Sequence, residues 1–302
     1  MVFEHLQTEQ INEETEHLDS ASSLEIVTLM NRADKSVPRA VEQVLPQVAR
    51  AIDEIVIRLK QGGRLIYVGA GTSGRLGILD AAECPPTFST PPDLVQSVIA
   101  GGKEATFKAL ENAEDDEPAG AKALADLEIS SLDAVVGLSA SGRTPFVKGA
   151  LQYAATRAAL TIGVACNAES EIGKLAQIAI DVHTGPEVLA GSTRLKAGTA
   201  QKLILNMIST GAMVRLGKVY KNLMVDMKAT NYKLQERSKS IIMRATGATY
   251  EAAETALAAA DQHVKLAILM IEKGVSADVG KRLLAGAEGY LRTALSTEEG
   301  LG

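Results

Sequence analysis

Five short apolar runs in the middle of the chain constrain its fold more than any other feature. They read RLIYVGA (64–70), LVQSVIAG (94–101), AVVGLSA (134–140), LTIGVACN (160–167) and IAIDVHTG (178–185). Each is rich in β-branched residues, nearly continuous in apolar side chains, and closed by Gly, Ser or Asn. A strand wet on one face alternates apolar with polar residues. Runs without that alternation belong to strands buried on both faces, as in parallel sheets. Parallel neighbours need helical crossovers, and helix patterns near 104–116, 119–128 and 145–159 supply them. Upstream, residues 37–63 predict an amphipathic helix ending at a Gly pair. Downstream, residues 192–219 predict a long helix, apolar almost all round and therefore buried on most sides, in the core or against another subunit. The expected fold is α/β: a doubly wound parallel five-stranded sheet flanked by helices over residues 37–235. A helical arm (1–36) precedes it. A small all-helical module (236–302), punctuated by Gly247, Gly274 and Gly286, follows.

Composition narrows the function classes. A net charge of −6 leaves no basic footprint for nucleic acid or acidic membranes. With aromatics at 3% and no Trp, the core should be aliphatic. Cys84 and Cys166 cannot form a disulfide framework, which points to a reducing compartment. The opening MVFEHLQTEQINEETEHLD is acidic and lacks a secretion pattern. The apolar stretch 203–219 is interrupted by Asn206, Ser209, Thr210 and Arg215, too broken to span a bilayer. A cytoplasmic protein is expected. His5, His17, His183 and His263 have no ligand spacing, and no metal site is expected.

The chemistry sits in an internal echo. RLIYVGAGTSGRLG and DAVVGLSASGRTP each run from a buried strand through a hydroxyl-rich loop to Ser-Gly-Arg at a helix start. Gly69, Gly71 and Gly74 spell G-x-G-x-x-G, yet the second strand ends SVIAGG, without the acidic residue that would hold a dinucleotide ribose. Arg75 stands where a P-loop would have lysine. Gly71, Thr72 and Ser73 in the first loop, with Ser139, Ser141 and Thr144 in the second, offer hydroxyls and backbone N–H groups at helix N-termini. Pro145 fits a first helical position. Such hydroxyls serve elsewhere as plain helix caps. Two matching loops at the carboxyl ends of parallel strands suit a compact phosphate dianion instead.

These loops resemble those of the sugar isomerase domain family, whose paired Ser/Thr loops hold phosphosugars. The longer stretches LIYVGAGTSGRLGILDAAECPPT, VVGLSASGRTPFV, GSTRLKAGTAQKLILNM and NLMVDMKATNYKL are similar to the etherase branch of that family, from about residue 20 to 295. The resemblance implies cleavage of the lactyl ether of N-acetylmuramic acid 6-phosphate in cell-wall sugar recycling. It also implies a cofactor-free homodimer with composite active sites.

Elimination from the ring-opened sugar needs a base at carbon 2 and an acid at the departing oxygen. Glu83 ends the pattern RLGILDAAE before Pro85-Pro86. At a helix C-terminus its carboxyl would favour the protonated form, or it is simply a solvated end. Glu114, Asp115, Asp116 and Glu117 read as a charged helix C-terminus. By resemblance, Glu83 is the acid and Glu114 the base. Glu187 and Ser192 are candidate contacts to sugar hydroxyls, and Arg75, Arg143, Arg194 and Lys196 to the lactyl carboxylate. Cys84, with no activating partner evident, reads as a small buried residue. An aldose–ketose isomerase and a non-catalytic phosphosugar-sensing regulator are the competing functions.

Overall fold

Burial without alternation is what a parallel sheet demands, and the central strands show it. In the computed structural model, which describes residues 6–227 and 232–297, the chain first forms short 3₁₀ turns and then α1 (Ser23–Asp34), α2 (Val37–Glu42) and α3 (Leu45–Lys60). There follow β1 (Leu65–Gly69), α4 (Gly71–Phe88), β2 (Val95–Ile99), α5 (Gly102–Ala105) and α6 (Glu117–Asp126). Next come β3 (Ala134–Ser139), α7 (Pro145–Thr156), β4 (Leu160–Ala165), α8 (Glu171–Leu175), β5 (Ile178–Asp181) and α9 (Lys196–Arg215). The strands form one parallel sheet in the order β2-β1-β3-β4-β5. Every residue of β1, β3 and β4 is buried, whereas the edge strands β2 and β5 are only partly so. On one face Ile66, Val68 and Val135 pack with Leu124, Val147 and Leu151 from α6 and α7. Truncating one of these aliphatic side chains costs about 2–5 kcal/mol.

All five predicted strands form, but three predicted helices differ. Residues 37–63 break at Gln43–Val44, ahead of Pro46, whose missing N–H leaves the preceding turn without a bond. The helix predicted near 104–116 shrinks to the single turn α5 and a 3₁₀ turn at Glu111–Ala113. The Arg75 guanidinium explains this: it donates to the carbonyls of Ala105, Thr106 and Lys108, at 2.9, 3.1 and 2.9 Å, which a longer helix would have used. Finally, α9 keeps a solvent-facing stripe at Thr199, Asn206, Thr210 and Val214, so it is less enclosed than its composition suggests.

The described residues divide into two compact units. One joins those up to Ala82 with Pro92–Thr210; the other joins Glu83–Pro91 with those from Gly211 onward. The second unit holds a short antiparallel pair, β6 (Val219–Tyr220) and β7 (Leu223–Met224), and the helices α10 (Tyr232–Thr246), α11 (Tyr250–Ala259), α12 (Val264–Lys273), α13 (Ala277–Gly286) and α14 (Leu291–Ser296). Side-chain caps from Thr249 and Ser276 start α11 and α13. Ile242, Leu257, Ile268, Leu269 and Leu291 fill its core. Among the described residues, no helix is long and apolar enough to cross a membrane.

Candidate active site

The strand order reverses between β1 and β3, so the loops leaving those two neighbours open a crevice at the carboxyl edge of the sheet. A cavity of about 680 Å³ lies there. Gly71, Thr72 and Ser73 line it from the first loop, Ser139, Ser141 and Thr144 from the second, and Glu114 joins them. Sequence reasoning placed these seven residues at one site, and the fold brings them to one cavity.

The second loop is a hydroxyl cluster. Ser139 Oγ lies 2.8 Å from Thr144 Oγ1 and 3.3 Å from Ser141 Oγ, and accepts the Gly142 N–H at 3.0 Å. Gly142 turns the chain with φ +74°, and a Cβ there would lie 2.4 Å from Ser170 Cβ. Thr144 precedes α7 but makes no side-chain cap; Pro145 takes the first turn, and the Glu114 carbonyl accepts the Phe146 N–H at 2.9 Å. That bond ties the Glu114 backbone to the start of α7. The hydroxyls are therefore not mere helix caps.

The first loop differs. Helix α4 begins at Gly71, so Ser73 is already helical. Ser73 is buried, with its Oγ donating to Gln201 Oε1 of α9 at 2.9 Å. Two turns on, Asp80 Oδ2 and Oδ1 accept from Tyr67 Oη at 2.8 Å and Ser209 Oγ at 3.1 Å. Burial raises the Asp80 carboxyl above its usual range.

Glu114 is exposed and follows the 3₁₀ turn at Glu111–Ala113. The acidic run does not end a helix, as the sequence suggested; it begins one. Asp116 caps α6 by accepting the Ala119 N–H at 2.9 Å, with Glu117 in the first turn, so these acids face the positive helix pole.

Glu83 also departs from expectation. Helix α4 runs through Pro85 and Pro86 to Phe88, leaving Glu83 exposed more than a turn before its end, away from the negative pole. Both prolines accept helical φ. Buried Cys84 and Phe88 continue the inward stripe begun by Ser73, Gly77 and Asp80. The helix closes with Ser89 N–H to the Pro85 carbonyl at 3.0 Å. Burial overrode the local preference. Glu83 belongs to the second unit, and the cavity walls belong to the first.

Glu187 is fully buried, and its carboxylate accepts the Lys196 and Ala197 N–H groups at 2.9 and 3.0 Å, capping α9. Burial pushes its carboxyl up. A direct contact to a sugar hydroxyl is not what this geometry provides. Ser192 is half-buried, and its neighbour Thr193 lines the cavity instead.

Of the four cations considered, Arg143 alone reaches the cavity. Arg75 holds the 105–108 loop, Lys196 Nζ donates to the Thr184 carbonyl at 2.7 Å, and Arg194 is exposed. Sequence reasoning missed Glu9, Lys148, Glu171 and Thr193 on the cavity wall, and left Asp115 as part of a charged helix end. Lys148 was findable, lying one helical turn past Thr144. Glu9 sits in a 3₁₀ turn with no periodicity to betray it.

Cys84 and Cys166 are both buried, and burial raises the Cys166 thiol. His17, His183 and His263 are exposed, and His5 and residues 228–231 of NLMVDMKATNYKL lie outside the described residues. Among the described residues no three His, Cys, Asp or Glu side chains are grouped to hold a metal.

Comparisons with known proteins identify the family and the fold. The glucokinase regulatory protein N-terminal SIS domain matches residues 47–155, and the SIS domain matches residues 111–210. An N-acetylmuramic acid 6-phosphate etherase from Clostridium beijerinckii is 54% identical over 97% of this chain and 96% of its own length. One from Yersinia pestis is 55% identical over 95% of this chain and 98% of its own. In fold, the chain is similar to a phosphoheptose isomerase from Francisella tularensis at a TM-score of 0.50 and 18% identity, covering 64% of this chain and 100% of that one.

Proposed function

The chain belongs to the N-acetylmuramic acid 6-phosphate etherase family, and from that premise we infer that it cleaves the lactyl ether of N-acetylmuramic acid 6-phosphate. The products are N-acetylglucosamine 6-phosphate and D-lactate, and the enzyme is a carbon–oxygen lyase of cell-wall amino sugar recycling. The observation that carries this reading is the switch-point cavity, where two hydroxyl loops and a carboxyl line one space.

The phosphate sits on the hydroxyls of Thr72, Ser139, Ser141 and Thr144 and on the N–H groups opening α4. Ser73 supports this loop through its bond to Gln201. With the sugar opened to its aldehyde, Glu114 takes the proton from carbon 2. The lactyl oxygen leaves carbon 3 with a proton from Glu83, and water then adds to the unsaturated aldehyde. Each proton transfer contributes roughly 10²–10⁴-fold. The role of Glu83 rests on the resemblance of AAECPPT. Glu187 and Ser192 act by setting the start of α9 and the neighbouring Thr193. The active species is a homodimer with composite sites. Consistent with such an assembly, α1 has no buried residue, and its Leu24 and Val27 are 74% and 56% exposed.

Incubating the protein with N-acetylmuramic acid 6-phosphate and measuring D-lactate tests the reaction. Lactate release supports it. Ketose formation without lactate would assign an isomerase, and phosphosugar binding without turnover a regulator. Sedimentation velocity tests the dimer.

A further inference from the structure

We propose that Arg143 and Lys148, joined by Glu171, form the seat of the substrate's second anion, the lactyl carboxylate. This rests on the reaction proposed above and concerns the same cavity. Among the described residues, Arg143 and Lys148 are the two cationic side chains on its wall, which also carries the acidic residues Glu9, Glu114, Asp115 and Glu171. A sugar carrying both a phosphate and a carboxylate brings two negative ends into that setting, and each must meet donors rather than acids. Hydroxyls and helix N–H groups at the switch point accommodate the phosphate without a cation. The two cations follow Ser139 and Ser141 in the chain and carry the wall on toward α8. Arg143 closes the second loop, and Lys148 stands one turn into α7, its N–H on the Thr144 carbonyl at 3.1 Å.

Glu171, the first residue of α8, brings the two together. It accepts from Arg143 Nε at 2.8 Å and from Lys148 Nζ at 2.7 Å. Hydrogen bonds from Lys148 and Arg143 hold the Glu171 carboxyl below its usual range, so it stays a fixed anion. Two long side chains that would otherwise sample many rotamers are thereby held side by side, with 29% and 25% of their surfaces still exposed. A guanidinium fork beside an ammonium, oriented before the ligand arrives, is the chemistry that recognises a carboxylate. Of the remaining basic candidates, Arg75 and Lys196 are turned to backbone carbonyls.

The test uses two sugars that differ only in the lactyl group. Arg143→Gln and Lys148→Gln are titrated calorimetrically with N-acetylglucosamine 6-phosphate, and assayed for lactate release from N-acetylmuramic acid 6-phosphate. We expect the Michaelis constant for the ether to rise about tenfold in each, with affinity for N-acetylglucosamine 6-phosphate within about twofold of wild type. Arg143→Lys, which keeps the charge but loses the fork, should fall between. Equal weakening of both ligands would assign the cations to the phosphate and overturn the proposal, as would no change in either. Retained N-acetylglucosamine 6-phosphate affinity reports a folded variant. If the wild-type chain releases no lactate, the reaction reading fails by itself. Calorimetric comparison of the two sugars then still judges the carboxylate seat.

Discussion

The tripeptide Ser-Gly-Arg occurs at 73–75 and again at 141–143, and the two copies do different work. In the first, the chain is already helical, the serine bonds α9, and the arginine grips three carbonyls of the 105–108 loop. In the second, the serine joins a hydroxyl cluster, the glycine makes a left-handed turn, and the arginine pairs with Glu171 at the cavity. One copy anchors a helix; the other presents its serine and its arginine to the cavity. Identical residues acquire different roles because the backbone ahead of them differs: α4 starts before Ser73, whereas α7 starts after Arg143.

If the second loop carries the chemistry, the largest effect should come from the carboxyl tied to it. Glu114→Gln should lower kcat for lactate release by about 10²–10⁴-fold, with N-acetylglucosamine 6-phosphate affinity little changed. Near-wild-type turnover would remove Glu114 from the reaction.

The two central glycines separate the anchoring copy from the cavity-lining copy more sharply. A Cβ on Gly74 would lie 2.6 Å from Ile99 Cγ1 and 2.9 Å from the Gly69 carbonyl, in the packed seam between α4 and the sheet. Gly74→Ala should therefore cost about 1–3 kcal/mol of stability in urea unfolding. Gly142→Ala forces an alanine into φ +74° and should raise the Michaelis constant as well, because it shifts Ser141 and Arg143. Equal kinetic damage from both would erase the distinction.

The serines give a smaller, directional version of the same contrast. Ser141→Ala removes a cavity hydroxyl and should raise the Michaelis constant by about 1–2 kcal/mol. Ser73→Ala should act mainly on stability, by about 1 kcal/mol, through the lost bond to Gln201. The reverse ranking would place the phosphate on the first loop alone.

Much of this was legible in the sequence, because burial on both faces leaves an unmistakable pattern in β1, β3 and β4. The two loops were legible for a related reason: strand, hydroxyl and helix start are local features. What stayed hidden was long-range. Nothing near Pro85 announces that buried Cys84 and Phe88 carry α4 past two prolines. Nothing in KEATFKALENAEDDEP announces that a distant arginine takes the carbonyls its helix needed. Glu187 read as a site residue because it follows a strand, yet its oxygens close a helix nine and ten residues away.

The anchoring role of the first loop has a pH signature opposite in sign to that of the Arg143–Glu171 pair on the second. Asp80, two turns past Ser73 on α4, is buried between Tyr67 and Ser209, and desolvation raises its carboxyl despite those two donors and the charge of Lys202. With the folded value above the unfolded one, the native state binds the proton more tightly. Its contribution is fully present below the unfolded carboxylate range and is lost as pH rises through the raised folded value. Asp80→Asn cannot ionise, yet its side-chain oxygen can still accept from Tyr67 and its amide can donate to Ser209. The stability of this variant relative to wild type should thus improve as pH rises from about 4 toward neutrality, measured as urea midpoints across that range. A difference that stays flat, or moves the other way, would mean Asp80 titrates as an ordinary carboxylate. The α4–α9 seam would then be held by packing and not by this buried carboxyl.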